Sequence, residues 1–569
     1  MPVSQQGALN TTALYVPDVY VQIVPPSENF LNGVPTNILG IVGTAQWGPV
    51  NAPVTVGSLA DYIHRFGNIL PRSYDMGTAV WAAVLNGANN FRCVRVTDGT
   101  DTAACAVISA TVTEPPEKQP DESPPKKKPK KPAPPEDDTP IGDHPPGDGP
   151  TDGNPGYPPR VLDDPTLCLR LQSKYTGGLG NSTQFTLAPG SKKGTWRATV
   201  SMPGLMPEVF DNLAERETGK GVWVKIAQAI HQGISGVRGP SELIKATAGT
   251  GGDAPKATTL TFAGGTDGAD AINGALLLGQ DTASRTGLYA LRGTGTSIAM
   301  LTDCSDSKTW SAQVAFGLSE GVYMIATGPA GESIDEAIQR KENAGIDSTA
   351  MKLLFGDWVY FNDTANGTVR LISPQGFVAG RLSGLSPEQS SLNKPLYGIV
   401  GTQQSMQHLT YSQAELQQLA QAGIDLITNP IPAGHSFGVR IGQNTGSNAV
   451  INGDNYPRLT NYIAYTLACG MGLYIGKLHS PKTRHDAFGT VNAFLSNLWQ
   501  QGMIGDAADP RAQPFSIRLD NKNNPPKRVA RGYMQIDCRI TYLSIITKLL
   551  INVEGGQSVK VSVADITPQ

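Results

Sequence analysis

The period of the apolar positions switches along the chain between two and about 3.6 residues, and these switches outline α/β segments separated by a β region. Val19, Val21 and Ile23 alternate with Tyr20 and Gln22 between Pro17 and Pro25, which reads as a single strand with no hairpin partner beside it. Ile38–Ala45 is a second strand, leading through Trp47-Gly48-Pro49 to Val54–Val56. Ser58 followed by Asp61 predicts an N-capped helix over Ser58–Phe66. Tyr74–Asn86 has helical spacing and stops at Gly87, and Phe91–Val96 reads as a buried strand.

The pattern then breaks. Glu114–Pro159 holds 16 of the 43 prolines and almost nothing apolar beyond Ala133, Ile141 and Tyr157. So few apolar side chains do not offset an ordering cost of about 1–2 kcal/mol per residue, which predicts a disordered or polyproline surface loop. Its lysine run, Lys126–Lys131, is flanked by acidic blocks and reads as a self-compensating linker rather than a nucleic-acid tract. Ala104–Val112 and Leu167–Gln172 should pair around this insertion. Strands at Gln184–Leu187 and Thr195–Val200 and a helix near Val222–Gln232 complete a β region.

From Thr259 the α/β alternation returns. Strands are expected at Tyr289–Leu291, Gly321–Ala326, Lys352–Phe355 and Ile424–Thr428, and helices at Ile334–Glu342 and Leu416–Ala422. Two longer helical blocks follow, Leu459–Tyr474 and Ala487–Gln500. The second places Phe488, Val491, Phe494, Leu495, Leu498 and Trp499 on one core-facing side. Strands are expected at Tyr533–Ile540 and Ile546–Val553. Beyond Gly555-Gly556 a last alternating run, Val559, Val561 and Val563, has no partner after it.

At 569 residues the chain should form two to four domains. Charged residues are only 16%, against roughly 25% in ordinary soluble proteins, which suits faces covered by neighbours. A net charge of −3 gives no global field toward nucleic acid or membrane. The six cysteines are scattered without ligand-like spacing, arguing against a zinc site or disulfide scaffold. Neither an export signal nor a membrane span is legible, so cytoplasmic synthesis is expected.

Catalytic motifs fare poorly. Gly317-Leu-Ser-Glu-Gly321 matches a nucleophile-elbow string, but a helix precedes it and a strand follows, the reverse of what that chemistry needs. None of the seven histidines lies between His231 and His408, so this segment cannot build a Ser-His-Asp triad from its own residues. Gly219-Lys220 and Gly293-Thr-Gly295 lack the further glycines of phosphate or dinucleotide loops. No catalytic, cofactor or metal site is read here.

Several stretches resemble the contractile phage tail sheath family, most closely the sheaths of Mu-type myophages. They are PDVYVQIV at Pro17–Val24, IVGTAQWGPVNAPV at Ile41–Val54, DYIHRFG at Asp61–Gly67, KYTGGLGN at Lys174–Asn181, PEVFDNL at Pro207–Leu213 and FAGGTDG at Phe262–Gly268. GDWVY at Gly356–Tyr360, PQGFVAG at Pro374–Gly380, Asn429-Pro430, Phe494–Gly502 and Phe515–Asp520 follow in the same order. Arg381–Lys394 and the proline-rich insertion depart from the pattern.

The resemblance implies a multidomain α/β and β fold. Residues 1–25 would be an N-terminal arm, and 26–98 plus 401–553 a lumen-side α/β core. Residues 99–258 would be a protruding β domain carrying the insertion 114–160. Residues 259–400 would be a subtilisin-like α/β middle domain without catalysis, and 554–569 a C-terminal arm. It implies a structural subunit, not an enzyme, that polymerises helically around the tail tube and contracts to drive it through the host envelope. The sheath of a bacteriocin or injection device, or a surface-displayed adhesin, are the alternatives. Implied partners are other copies in stacked hexameric rings, the tube protein, and baseplate and tail terminator proteins, with no direct nucleic-acid contact and no membrane insertion. The location is the virion tail, after assembly in the host cytoplasm. The two orphan strands, Val19, Tyr20, Val21, Gln22 and Ile23 at one end and Val559, Val561 and Val563 at the other, would add to neighbours' sheets. Lys522, Lys527, Arg528 and Arg531, in a loop of the lumen-side domain, would face the tube, unless that loop is merely solvated.

Overall fold

A computed structural model of the chain describes residues 4–6, 21–23, 31–110 and 162–550. A six-stranded sheet forms the centre, in the order Met351–Leu354, Tyr323–Thr327, Ile298–Leu301, Leu39–Gly43, Phe91–Arg95, Pro53–Val56. The first five run parallel, and Pro53–Val56 pairs antiparallel at the edge. A parallel sheet is covered on both faces, which is why these strands read as unbroken apolar runs. Successive residues nevertheless go to opposite cores. Ile298, Met300, Tyr323 and Ile325 join Leu39 and Ile41 on one face, while Ala299, Leu301, Met324 and Ala326 join Val42 on the other.

Helices Leu59–Phe66, Met76–Leu85 and Gln375–Ser383 cover the first face. Trp310–Glu320, Ile334–Ala344 and Gln413–Ala422 cover the second. Small residues let Met76–Leu85 and Gln375–Ser383 touch: a Cβ on Gly380 would sit 2.4 Å from the Ala83 Cα. The helix start at Ser58 follows the cap read in the sequence: its side chain accepts from the Asp61 N–H. Ser333 with Glu336 forms a reciprocal box at the start of Ile334–Ala344.

This sheet corrects the expected domain division. Leu39–Gly43, assigned above with 401–553, lies between Phe91–Arg95 and Ile298–Leu301. Residues 26–98 and the expected middle domain therefore share one body, because strand order leaves no trace in the periodicity of any single strand. Tyr289–Leu291 is not a strand but part of a 3-10 turn, Gly287–Leu291, whose three-residue period buries Leu288 and Leu291.

The β region is an excursion from this body. Cys105–Ser109 pairs antiparallel with Leu167–Ser173, as expected, and Ile244–Ala248 closes that sheet. A second sheet runs Glu208–Leu213, Trp196–Ser201, Gln184–Pro189, Thr258–Thr261, so the region extends past residue 258. Helix Lys220–Gln232 buries Val222, Trp223, Ile226 and Ile230 in the same core. The insertion 114–160 lies outside the described residues.

Arg95 fixes this excursion to the body. Its guanidinium, fully buried, donates to the carbonyls of Gly48 at 2.8 Å, Thr176 at 2.7 Å and Asp267 at 3.0 Å. Burial brings its pKa down to about 10, opposed by Asp101 and Asp267, so it stays charged at neutral pH. The Asp267 carboxylate in turn accepts from Arg72 and from the Gly178 N–H, each at 2.6 Å.

A separate C-terminal unit packs helix Asn455–Met471 against Pro481–Gln500 and the pair Phe515–Arg518 with Asp537–Ile540. A buried ion cluster joins it to the body. Lys352, from the edge strand and wholly shielded from solvent, lies 2.5 Å from the Asp425 carboxylate and 3.4 Å from that of Asp454, the residue before the first helix. Burial alone would lower the lysine's pKa, but the two carboxylates hold it above its ordinary value. Asp425 accepts from the N–H groups of Ile441 at 3.0 Å and Gly442 at 2.7 Å, and Asp454 from that of Ser391 at 3.1 Å. Removing one partner of such a cluster leaves a charge stranded in a dry interior. Lys352→Met should therefore cost about 3–5 kcal/mol, seen as a lower urea midpoint for the body with an unchanged slope.

Candidate assembly surface

The basic residues singled out in the sequence all lie between the strands Phe515–Arg518 and Asp537–Ile540 of the C-terminal unit. Helix Pro481–Gln500 starts at Ser480, whose hydroxyl accepts from the Thr483 N–H at 3.1 Å. At about 1.5 Å per residue, 20 residues span roughly 30 Å. Its inner face buries Ala487, Val491, Phe494, Leu495 and Leu498, whereas Phe488, expected in that core, is exposed. Phe488 lies at the flank of the buried stripe.

The loop after Phe515–Arg518 is held by asparagines rather than by apolar packing. Asn523 donates to the Arg518 carbonyl at 2.7 Å and the Asp537 carboxylate at 2.9 Å. Asn524 and Gln535 exchange bonds of 2.8 and 2.7 Å. Asp520 accepts from the Lys522 and Asn523 N–H groups at 2.7 and 3.2 Å; although burial opposes them, these bonds hold its carboxyl below the usual range. On this braced loop Lys522, Lys527, Arg528 and Arg531 are all exposed. Arg528 lies 5.7 Å over the Tyr533 ring and bonds Gln535.

Arg484 joins the long helix to this loop, donating to Asn521 Oδ1 at 3.0 Å and to His479 Nε2 at 2.8 Å. Burial and the neighbouring guanidinium lower the His479 pKa, which keeps that ring an acceptor. Arg484 was not among the expected residues, and its only sequence signal is its place in the first turns of the helix.

The same unit has open strand edges. Phe515–Arg518 and Asp537–Ile540 form a two-stranded sheet whose outer edges are unpaired among the described residues. The expected strand Tyr533–Ile540 shortens to Asp537–Ile540. Residues 541–550 take no regular structure, so the strand expected from Ile546 does not form, and Leu543, Ile546, Leu549 and Leu550 stand exposed. A strand needs a neighbouring edge, and residues 542–550 join none among the described residues. Val21–Ile23 does have a partner, correcting the lone-strand expectation: it pairs parallel with Ser4–Gln6. Val19, Tyr20, Val559, Val561 and Val563 lie outside the described residues.

The carboxyl end of a parallel sheet is where α/β enzymes bind ligands. Here it holds a cavity of about 10 Å³ lined by Asp75, Thr78, Thr302, Asp303 and Ser373, roughly the room of one water. Ser319, of the elbow-like string, lies within helix Trp310–Glu320 and donates to the Phe316 carbonyl at 3.0 Å. Among the described residues no group of three or more His, Cys, Asp and Glu is placed to hold a metal ion. None of their helices is long and apolar enough to cross a membrane.

No family model and no curated protein sequence matches the chain. The fold does have solved counterparts, two of them sheath tail proteins. The structure is similar to the crystal structure of the sheath tail protein from Listeria innocua, with a TM-score of 0.54 and 12% identity over 86% of this chain and 90% of that one. It is also similar to that of the sheath tail protein from Desulfitobacterium hafniense, with a TM-score of 0.51 and 13% identity over 88% and 93% of the two chains. At such identities the likeness is one of fold, and it extends over most of each chain.

The buried carboxylate of Asp75 makes the sheet's carboxyl end testable. Burial pushes its pKa up from 3.8 to about 6 against two bonds from Thr78, so the folded state carries a penalty above pH 6 that vanishes below pH 3.8. Asp75→Asn keeps an acceptor for the Thr78 N–H. It should stabilise the protein by about 3 kcal/mol at pH 8 and hardly at all at pH 4, as read from urea midpoints at the two pH values.

Proposed function

We propose that this protein is a structural subunit of a contractile tail sheath, polymerising helically around a tail tube and contracting to drive it through the host envelope. The observation that carries this reading is the fold shared over most of the chain with two sheath tail proteins. A non-enzymatic role follows from it, as does location in the tail of a virion or of a related injection particle. The parallel sheet with helices on both faces supports the subtilisin-like reading of the middle segment.

Assembly works through the termini. Beyond Thr541, whose backbone bonds Pro514 and Gly505, the described residues leave the C-terminal unit in no regular structure with Ile546, Leu549 and Leu550 exposed, and the open edges of the Phe515–Arg518 and Asp537–Ile540 pair offer the acceptor. Strand addition from one copy to the next is heterologous and does not close on itself, so it generates a helical filament of stacked rings. Covalently continuous arms let subunits reorient without dissociating. Contraction then needs no nucleotide: the extended lattice is metastable and relaxes to a tighter one when the baseplate releases it. Lys522, Lys527, Arg528 and Arg531 face the tube, and the insertion 114–160 faces outward, where a polar loop costs least.

Deleting Met1–Gln22, or the residues after Gly555, should leave a folded, soluble subunit that forms no tubes under electron microscopy. Each arm supplies only a handful of backbone bonds at about 1 kcal/mol apiece, minor for the fold but decisive for the lattice. Tubes of normal length from both truncations would remove the arms from the assembly mechanism. Reversing Lys527, Arg528 and Arg531 to Glu should preserve sheath-only tubes and abolish coating of the tail tube, and added salt should weaken the wild-type contact in the same direction.

A further inference from the structure

The small cavity at the carboxyl end of the central sheet has polar walls that the protein itself leaves partly unbonded. Asp75, at the start of helix Met76–Leu85, offers one carboxylate oxygen, Oδ2, to the Thr78 N–H and hydroxyl, each at 2.8 Å. Its other oxygen, Oδ1, is buried without a hydrogen-bond partner. So is Oγ of Thr302, which lines the same cavity. Neither residue is more than 1% exposed. A buried polar atom that has lost water and gained no partner costs free energy, and here two of them border one space.

Charge points the same way. Among the described residues neither Asp75 nor Asp303, the second acid of the cavity, forms an ion pair. Arg370 is paired with Asp363 at 2.6 Å and reaches Asp75 through the Thr78 hydroxyl at 2.8 Å, and Arg72 is paired with Asp267 at 2.6 Å. Asp303 is held by the Tyr74 N–H at 3.0 Å and the Ser373 N–H at 3.4 Å, and its partial exposure gives access from solvent. Tyr74 and Asp303 both have left-handed backbone, with φ of 59° and 52°, a conformation that non-glycine residues adopt at a cost. Carboxylates shielded from water are paired with a base or bind a cation.

We propose that this cavity is a sodium site, with Asp75 Oδ1 and Thr302 Oγ as ligands and the Asp303 carboxylate and Ser373 hydroxyl completing an all-oxygen shell. About 10 Å³, the room of one water, suits a bare sodium ion. Potassium is larger, magnesium keeps several of its waters, and calcium takes about six to eight oxygens, more than these walls supply. A water in the same place would bond both orphan oxygens but leave the charge of Asp75 uncompensated. The ion bridges the helix start at Asp75, the end of strand Ile298–Leu301 and the turn before helix Gln375–Ser383. It stands independently of the sheath reading, and the gain given above for Asp75→Asn is that of the sodium-free protein.

The test compares urea midpoints of the full-length protein at pH 8 in sodium, potassium and choline chloride at equal concentrations. Sodium should raise the midpoint above that in choline, and potassium should not. Once sodium exceeds its dissociation constant, each tenfold rise should increase the folding constant about tenfold over the choline control. Thr302→Val keeps the shape of the side chain and removes an oxygen that bonds nothing in the protein, so this variant should fold and match the wild type in choline. Its dissociation constant for sodium should rise at least tenfold, and the broadening of the sodium NMR line by the wild type should be lost with it. Asp75→Asn should show no shift between sodium and choline, and it carries the same comparison if Thr302→Val does not fold. Equal wild-type midpoints in sodium and choline would overturn the proposal and leave a water as the occupant. An undiminished sodium response in Thr302→Val would move the ion elsewhere, and an equal gain from potassium would overturn the choice of ion.

Discussion

Strand Leu39–Gly43 occupies an interior position in a parallel sheet, and both neighbours that satisfy its backbone come from elsewhere in the chain. Phe91–Arg95 arrives after two helices, whereas Ile298–Leu301 arrives only after the whole β region and its insertion. One face of the sheet is not covered until helices from both segments are in place, since Met76–Leu85 and Gln375–Ser383 pack on one another as well as on the strands, and the other waits for helices that all follow the β region. Everything between residues 98 and 269 is therefore a detour whose two ends must meet. Such non-local closure is slow to form and, once formed, cooperative.

Two polar devices fix the parts relative to one another, alongside apolar contacts such as Trp47 in the core of the β region. Arg95 gathers carbonyls from the body and the β region around one guanidinium. Lys352, Asp425 and Asp454 do the same between the sheet edge and the C-terminal unit. A buried charge tolerates only the geometry that solvates it, so each junction admits one arrangement where apolar packing would admit several.

Much of this was legible in the sequence, and the losses have definite causes. The helix start at Ser58 and the pairing around the insertion were read from the chain and stand in the fold. Sheet order was invisible because every buried strand carries the same apolar signature. Tyr289–Leu291 misled because three apolar residues are too few to separate a strand from a turn. Lys352 looked like an ordinary polar position, its partners lying far along the chain at Asp425 and Asp454. Of the candidate surface, the basic residues were visible as a charge cluster. Arg484 was not, since its bond to Asn521 is a tertiary fact.

The seam at which the insertion leaves the β region is closed by its own backbone: the Ala110 N–H bonds the Thr166 carbonyl at 2.8 Å, and Cys105–Ser109 is the edge strand of its sheet. A chain departing from such a point can grow or shrink without disturbing a ladder. Doubling its length adds only about 0.6 kcal/mol of closure entropy. The position is thus a port for decoration, where new sequence can be tried while the sheets on either side of it stay unchanged.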